Sequence, residues 1–356
     1  MTQGRENEKS IPNTGISGVY EVMVGVEDLD YAVKYFKSFG FEVTASASFT
    51  KQEVLALYGV PFGLTSYRLQ NGSIDSHGLL RLLHWDQISG AGVGYAPPET
   101  IGQRMAVMRT DDIFRLRDIY KGARENGEKW LPTEPIADDL FDLDSGEKGF
   151  FNRPIIVREN AVYGDIFNHV FFQRYGYHIP GYGTIQDHSP LKTSEFTHHD
   201  FIVSAQSLEE MSYLTTALGL IAEEEPALDG DWQAGPKTVF GMVPGDSHWY
   251  QGFVSPNNIC GKMKFFIPTT VKTDRSDRQK IGRPGITLHS FYTDKLSDVH
   301  RLVTDHNLEP TVIMKNEFGE DCFLFTGPGG CSWQIISKSS TNHIPITELK
   351  FELTNN

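Results

Sequence analysis

Histidine supplies the side chains best able to do chemistry near neutral pH, and four of the chain's 12 histidines stand in informative places. His198 and His199 are adjacent in the run His198-His199-Asp200-Phe201-Ile202-Val203. On a strand, neighbouring side chains point to opposite faces, so only one of the two can enter a given cavity. His289 lies in a similar run, Thr287-Leu288-His289-Ser290-Phe291. His248 and Tyr250 share the segment Ser247-His248-Trp249-Tyr250. A neutral imidazole is the commonest metal ligand, and its titration near neutrality suits general acid/base catalysis. His248 and Tyr250 are therefore the candidate proton-moving residues. Trp249, Tyr250, Phe253, Tyr292 and Trp333 are candidates to line an apolar pocket for a flat substrate.

Other chemistries are excluded. No GxGxxG, P-loop or GxSxG element occurs, so nucleotide cofactors and a serine nucleophile elbow are not supported. The three cysteines, Cys260, Cys322 and Cys331, form no CxxC pair and cannot all be paired, which argues against a disulfide scaffold and a cysteine zinc site. The formal net charge of −14 disfavours phosphate backbones and anionic membranes, so neither nucleic acid nor membrane is expected as a partner. No apolar run reaches the ~18 residues of a membrane span, and the polar start MTQGRENEKSIPNTG is no signal peptide. A cytoplasmic protein is the expectation.

The elements that would position these residues repeat. Val22, Val24 and Val26 alternate as a strand. Glu27-Asp28-Leu29-Asp30 starts a helix with carboxylates at its positive end, Ala32, Val33, Phe36 and Phe39 give the helical stripe, and Gly40 ends it. The pattern returns at Arg104–Met108 with a helix through Leu116, Ile119 and Tyr120. It returns again at His198–Val203 with a helix through Met211, Leu214 and Leu218, and at Thr287–Phe291 with a helix through Leu296, Val299 and Val303. Each helix is followed by chain enough for about three strands between turns rich in Gly, Pro and Asn. The fold class is α+β, with four tandem βαβββ modules paired into two cup-shaped domains. The boundaries read as a disordered tail over 1–14, a first domain of two modules over 15–180, a second over 190–340 and a tail over 341–356. The Gly/Pro/Tyr-rich stretch 175–190 separates the pairs, and the polar stretch 271–284 separates the third and fourth modules.

The opening Val24-Gly25-Val26-Glu27-Asp28-Leu29-Asp30, with Ala32-Val33, Tyr35-Phe36 and Gly40-Phe41-Glu42-Val43, resembles the vicinal oxygen chelate superfamily of glyoxalase I, bleomycin-resistance proteins and extradiol dioxygenases. The final segment Phe325–Ile336 is similar to that family's DPxGxxxEL ending. The resemblance implies glyoxalase-like domains whose paired modules cup a metal, with ligands from first and last strands. It puts the first-strand ligand position at Glu21, Met105, His198 and either Leu288 or His289, and the last-strand position at Gln334. Met105 is no ligand for a hard metal, so the first pair reads as a structural half, and His198, His289 and Gln334 become the implied ligands in the second pair. The implied cofactor is a divalent ion: zinc, nickel, manganese or iron.

Gln334 departs from the carboxylate that completes the 2-His-1-carboxylate triad suited to iron and O₂. A neutral amide favours Lewis-acid polarisation of a carbonyl. The expected function is a glyoxalase-like, metal-dependent lyase or isomerase acting on a small hydrophobic carbonyl- or phenol-bearing molecule, as monomer or homodimer. The alternatives are extradiol-type ring cleavage and metal-free binding of a small molecule, as in resistance proteins.

Overall fold

The computed structural model describes residues 11–139, 155–223, 227–228, 238–242, 246–269, 273–338 and 352–353. The first module runs β1 (Glu21–Val26), α1 (Leu29–Lys37), β2 (Phe41–Phe49), α2 (Lys51–Tyr58), β3 (Leu64–Asn71) and β4 (Leu79–Trp85). The second runs β5 (Arg104–Thr110), α3 (Ile113–Glu125), β6 (Trp130–Pro132), β7 (Ile136–Asp139), β8 (Ile156–Gly164) and β9 (His169–Tyr175). A short β10 (Tyr177–His178) follows. The third holds β11 (Thr193–Ile202), α4 (Ala205–Glu209), α5 (Tyr213–Thr216), β12 (Ile221–Ala222), β13 (Ala227–Leu228), β14 (His248–Ser255) and β15 (Asn258–Pro268). The fourth holds β16 (Gly285–Thr293), α6 (Leu296–Asp305), β17 (Met314–Lys315), β18 (Asp321–Thr326) and β19 (Ser332–Ser337), and β20 (Glu352–Leu353) pairs with β10.

Helix α1 begins where the Asp28 carboxylate accepts the Tyr31 N–H at 2.8 Å, and α3 where Asp112 accepts the Arg115 N–H at 3.0 Å. The third helix is broken. Thr215 and Thr216 both donate their hydroxyls to the Ser212 carbonyl at 2.9 Å, a side-chain competition that shortens it to α4, a 3₁₀ turn over Glu210–Ser212 and α5.

The strands form two sheets. One has the order β17-β18-β19-β16-β1-β4-β3-β2; the other has β12-β14-β15-β11-β5-β9-β8-β6, with β13 on β14 and β7 on β8. The α+β class with four modules in two cups is as the sequence suggests. The choice of partners is not. β1 pairs antiparallel with β16, setting Glu21 opposite Ser290, so module one joins module four. β5 pairs antiparallel with β11, setting Asp200 opposite Met105, so module two joins module three. The stretch 175–190 is therefore a connection within one sheet, returning β11 beside β5, rather than a boundary between domains over 15–180 and 190–340.

Part of each tail is also structured. Thr14 is buried and donates to the Leu218 carbonyl at 2.5 Å, and the Thr293 hydroxyl donates to the Thr14 carbonyl at 2.6 Å. The rest of the tail assignments, residues 1–10, 341–351 and 354–356, lies outside the described residues.

Each sheet turns one face inward. Val22 and Val24 of the first sheet pack with Ala106 and Met108 of the second around Phe36 and Leu116 from the helices. Phe291 and Trp333 meet Phe201 and Phe265 around Leu214 and Val299. The opposite face of each sheet is a cup. The first is lined by Met23, Leu83, Leu288 and Ile336 and covered by Val54 and Leu57 of α2. The second is lined by Met105, Val107, Val170, Ile202 and Phe266 and covered by Val239, Phe240 and Met242. No helix among the described residues is long and apolar enough to cross a membrane, and all three cysteines are buried and free.

Candidate active site

The proposed ligands His198, His289 and Gln334 are not brought together. β16 and β19 run parallel with His289 beside Trp333 and Ser290 beside Gln334. Cross-strand neighbours share a face, so His289 and Gln334 leave the same sheet on opposite sides. Gln334 enters the first cup. His289 enters the inter-sheet core, with ring centroids 5.2 Å from His199, 4.8 Å from Phe201 and 5.9 Å from Trp333. His198 enters the second cup, and His199 turns to the inter-sheet core. The first-strand position of module four thus falls on Leu288 and Ser290; the one-residue slip to His289 reverses its face.

The first cup holds a cation of its own. Arg81 is fully buried, and its guanidinium donates to both Glu21 carboxylate oxygens, to Glu317 Oε1 at 3.2 Å and to Gln334 Oε1 at 3.1 Å. Arg68 also donates to Glu21 and grips Glu320 with two bonds of 3.0 and 2.8 Å. Ser290 donates to Glu21 at 3.1 Å, Tyr58 donates to Glu317 at 2.7 Å, and the Phe318 ring stacks within 4.3 Å of Arg68 and 5.0 Å of Arg81. A divalent ion does not fit here. The oxygens that would ligate it already hold a permanent cation that would repel it at close range. The cup is filled by its own side chains.

The second cup is different. His198, Asp200 and Ile202 alternate along β11; Lys262, Lys264 and Phe266 lie beside them on β15; Tyr250 and His248 continue the face on β14. His198 Nδ1 lies 3.0 Å from Tyr182 Oη and 3.2 Å from the Thr197 hydroxyl, which donates to the Val107 carbonyl. Nε2 faces Asp200 Oδ1 at 3.9 Å, too long for a hydrogen bond. Asp200 Oδ1 is buried without a hydrogen-bond partner among the described residues. Burial raises the Asp200 carboxyl to about 7, against the opposing pull of Lys264 and Lys262. Burial first, then the two lysines, hold His198 well below the usual imidazole range. Lys262 pairs with Glu223 at 2.5 Å, whereas Lys264 makes no ion pair among the described residues.

His248 and Tyr250 both reach this cup. His248 Nδ1 lies 3.3 Å from Glu99 Oε1, with both residues buried, and its ring packs edge-on against Phe240 and Phe266 at 5.3 and 5.2 Å. Glu99 sits at φ +59°, a left-handed conformation that costs a non-glycine residue about 1–3 kcal/mol. Tyr250 packs against Phe266 at 5.9 Å. Of the other candidate pocket aromatics, Trp249 is exposed, Phe253 and Trp333 belong to the inter-sheet core, and Tyr292 packs in the first cup.

Among the described residues, this cup offers no metal site either. Its first-strand positions are Met105 and His198, and the strand beside His198 presents lysines. No group of three His, Cys, Asp or Glu among the described residues is placed to hold an ion.

Asp200, Lys264 and Glu99 were missed in the sequence. Period-2 spacing from His198 puts Asp200 on the same face, and Lys262-Met263-Lys264-Phe265-Phe266 carries the same alternation. Glu99 left no such signal. Arg81, inside Leu79-Leu80-Arg81-Leu82-Leu83, could have been read as a buried charge needing partners.

No protein-family profile matches the chain, and no curated protein matches it. Solved structures do. Glyoxalase I from Zea mays is 13% identical, with TM-score 0.52 over 90% of this chain and 92% of that one. A putative dioxygenase from Bacillus subtilis subsp. subtilis str. 168 is 9% identical, with TM-score 0.50 over 91% and 86%. At these identities the likeness is one of fold: the glyoxalase-like, paired-module architecture.

Proposed function

We propose that the chain is a glyoxalase-like lyase or isomerase that moves a proton beside the carbonyl of a small, largely apolar molecule in the cup of modules two and three. The observation that carries this is Asp200: a buried carboxyl whose Oδ1 has no hydrogen-bond partner among the described residues, raised to about 7 by burial, beside an ammonium and a floor of apolar side chains. A carboxyl tuned to neutrality is the form in which Asp serves as base and then acid. Asp200 takes the proton from the carbon next to the carbonyl. The electron pair moves onto the carbonyl oxygen, where the Lys264 ammonium faces the developing charge. Return of the proton at the neighbouring carbon completes an isomerisation, and loss of a leaving group completes a lyase reaction. Glu99 accepts the Nδ1–H of His248, which leaves Nε2 to carry the second proton transfer. Tyr250 lies on the same strand face. No step is assigned to a divalent ion, because His198, His289 and Gln334 diverge and Arg81 occupies the first cup.

The test is deuterium incorporation from D₂O at carbons next to the carbonyl in a panel of ketones and 2-hydroxy ketones, followed by NMR. The wild-type protein exchanges a subset, and Asp200→Asn loses about 100- to 10,000-fold, the usual contribution of a general base. Undiminished exchange by Asp200→Asn overturns the assignment. Catechol-dependent oxygen uptake would point to ring cleavage instead, and ligand binding without exchange to a binding protein.

A further inference from the structure

The second cup has a charge pattern that proton transfer alone does not require. Lys262 is neutralised by Glu223, while Lys264, half-buried one β-pair further along, has no anionic partner among the described residues. The cup's two arginines are bound to the segment that crosses its end: Arg109 donates to the Gly183 carbonyl at 2.7 Å and Arg174 to the Tyr182 carbonyl at 2.8 Å. That segment also meets His198, with Tyr182 Oη 3.0 Å from Nδ1, while Nε2 faces the cup. The Lys264 ammonium and the His198 imidazole thus flank the same space, bordered by Asp200 Oδ1, which has no hydrogen-bond partner among the described residues, and by the apolar side chains of Met105, Val107 and Phe266.

Resting on the reading of this cup as the active site, we propose that its substrate is a small organic carboxylate, a monoanion whose carboxylate is held by Lys264 and the His198 Nε2–H. Its carbon skeleton lies over the apolar floor, with the carbon next to its carbonyl against Asp200. The two groups suit the two oxygens of a planar carboxylate, and charge-assisted bonds of this kind are about twice as strong as neutral ones. A neutral substrate would forgo the charge-assisted bond to the Lys264 ammonium. A phosphate dianion would bring more charge and more acceptors than these two donors can meet.

The test compares phenylacetate with its neutral analogue phenylacetamide, and with inorganic phosphate, by calorimetry at low salt on the full chain. Phenylacetate is expected to bind at least about tenfold more tightly than the amide, as a charge-assisted hydrogen bond of roughly 1.5–3 kcal/mol implies. That preference should shrink as salt rises. Lys264→Met should abolish the preference and leave amide binding in place, whereas Lys315→Met, on the remote strand β17, should change neither. Should Lys264→Met fail to fold, the salt dependence of the wild-type preference still decides. Equal binding of acid and amide, a preference that survives Lys264→Met, or phosphate binding as tight as phenylacetate overturns the proposal. Carboxylate preference without deuterium exchange would uphold this inference and sink the catalytic reading; exchange on neutral ketones without carboxylate preference would do the reverse.

Discussion

Replacing Arg81 by Met separates the two cups experimentally. The guanidinium is fully buried and meets Glu21, Glu317 and Gln334, with Phe318 stacked against it. Methionine has nearly the length but none of the donors. The change leaves Glu21 to Arg68 and Ser290, leaves Glu317 to Tyr58, and strips Gln334 Oε1 of its donor. Removing one partner of a buried ion pair costs about 3–5 kcal/mol, because the surviving charge stays buried. Against a typical total stability of about 5–15 kcal/mol, that is a fifth or more. Arg81→Lys keeps the charge and loses the fork, so it should fall between wild type and Met. Glu317→Gln combined with Arg81→Met removes the stranded charge and should recover part of the loss. Urea unfolding followed by tryptophan fluorescence and circular dichroism measures each value. Deuterium exchange per folded molecule should stay at the wild-type level, because Asp200 lies in the cup of the other sheet. A stability loss below about 1 kcal/mol would show that the network is not a mutually dependent unit. A loss of exchange by fully folded Arg81→Met would place the chemistry in the first cup and refute the assignment.

Acid should destabilise the fold through its buried histidines. Burial holds His169 and His199 at about 3, so both stay neutral in the fold while the unfolded chain takes up protons below about 6.5. Their contribution is intact above that value and is lost as pH falls toward 3, by up to about 1.4 kcal/mol per pH unit for each group. His169→Phe, in a site ringed by Phe39, Phe167 and Phe171 and lacking partners for either ring nitrogen among the described residues, should remove about a quarter of the slope that His169, His198, His199 and His289 set together and raise stability at neutral pH; the urea midpoint measured from pH 7 to pH 4 checks both. The exchange rate of the wild-type protein should rise with pH through about 7 as Asp200 ionises, and Asp200→Glu, which keeps a base but moves it, should retain a shifted profile. Glu99→Gln should lower exchange about tenfold with little effect on binding, as for a residue that positions a proton-transfer group; an unchanged exchange rate would remove Glu99 from the mechanism.

The modules were legible because each opens on the same local signals. Valine alternation, an acidic cap and a glycine stop act over a dozen residues, and α1 and α3 form where those signals stand. The pairing of modules was not legible because it is a long-range choice. β1 could pair through any equivalent first strand, and nothing near Glu21 names Ser290, far along the chain, as its neighbour. What selects the partner is the burial of both sheets' inner faces at once: Val22 and Val24 meet Ala106 and Met108 only when module one lies across from module two rather than beside it.

The site was half legible for a related reason. The resemblance put His198 rather than His199 in the cup, and its side chain does face the second cup; strand alternation from His198 then gives Asp200 on the same face. His289 was misplaced by a single residue, and on a strand a single residue changes the face. The Leu288 and Ser290 that do enter the first cup cannot bind a metal, so the cup's chemistry had to be sought in what else enters it. There the answer is Arg81, whose charge replaces an ion and accounts for the neutral amide at Gln334: with Glu21 and Glu317 already facing one guanidinium, a third carboxylate would leave an excess of buried negative charge. Gln334 is therefore evidence about the balance of a sealed cup rather than about a Lewis acid. The chemistry is left to the cup where Asp200 and Lys264 share a face without forming an ion pair.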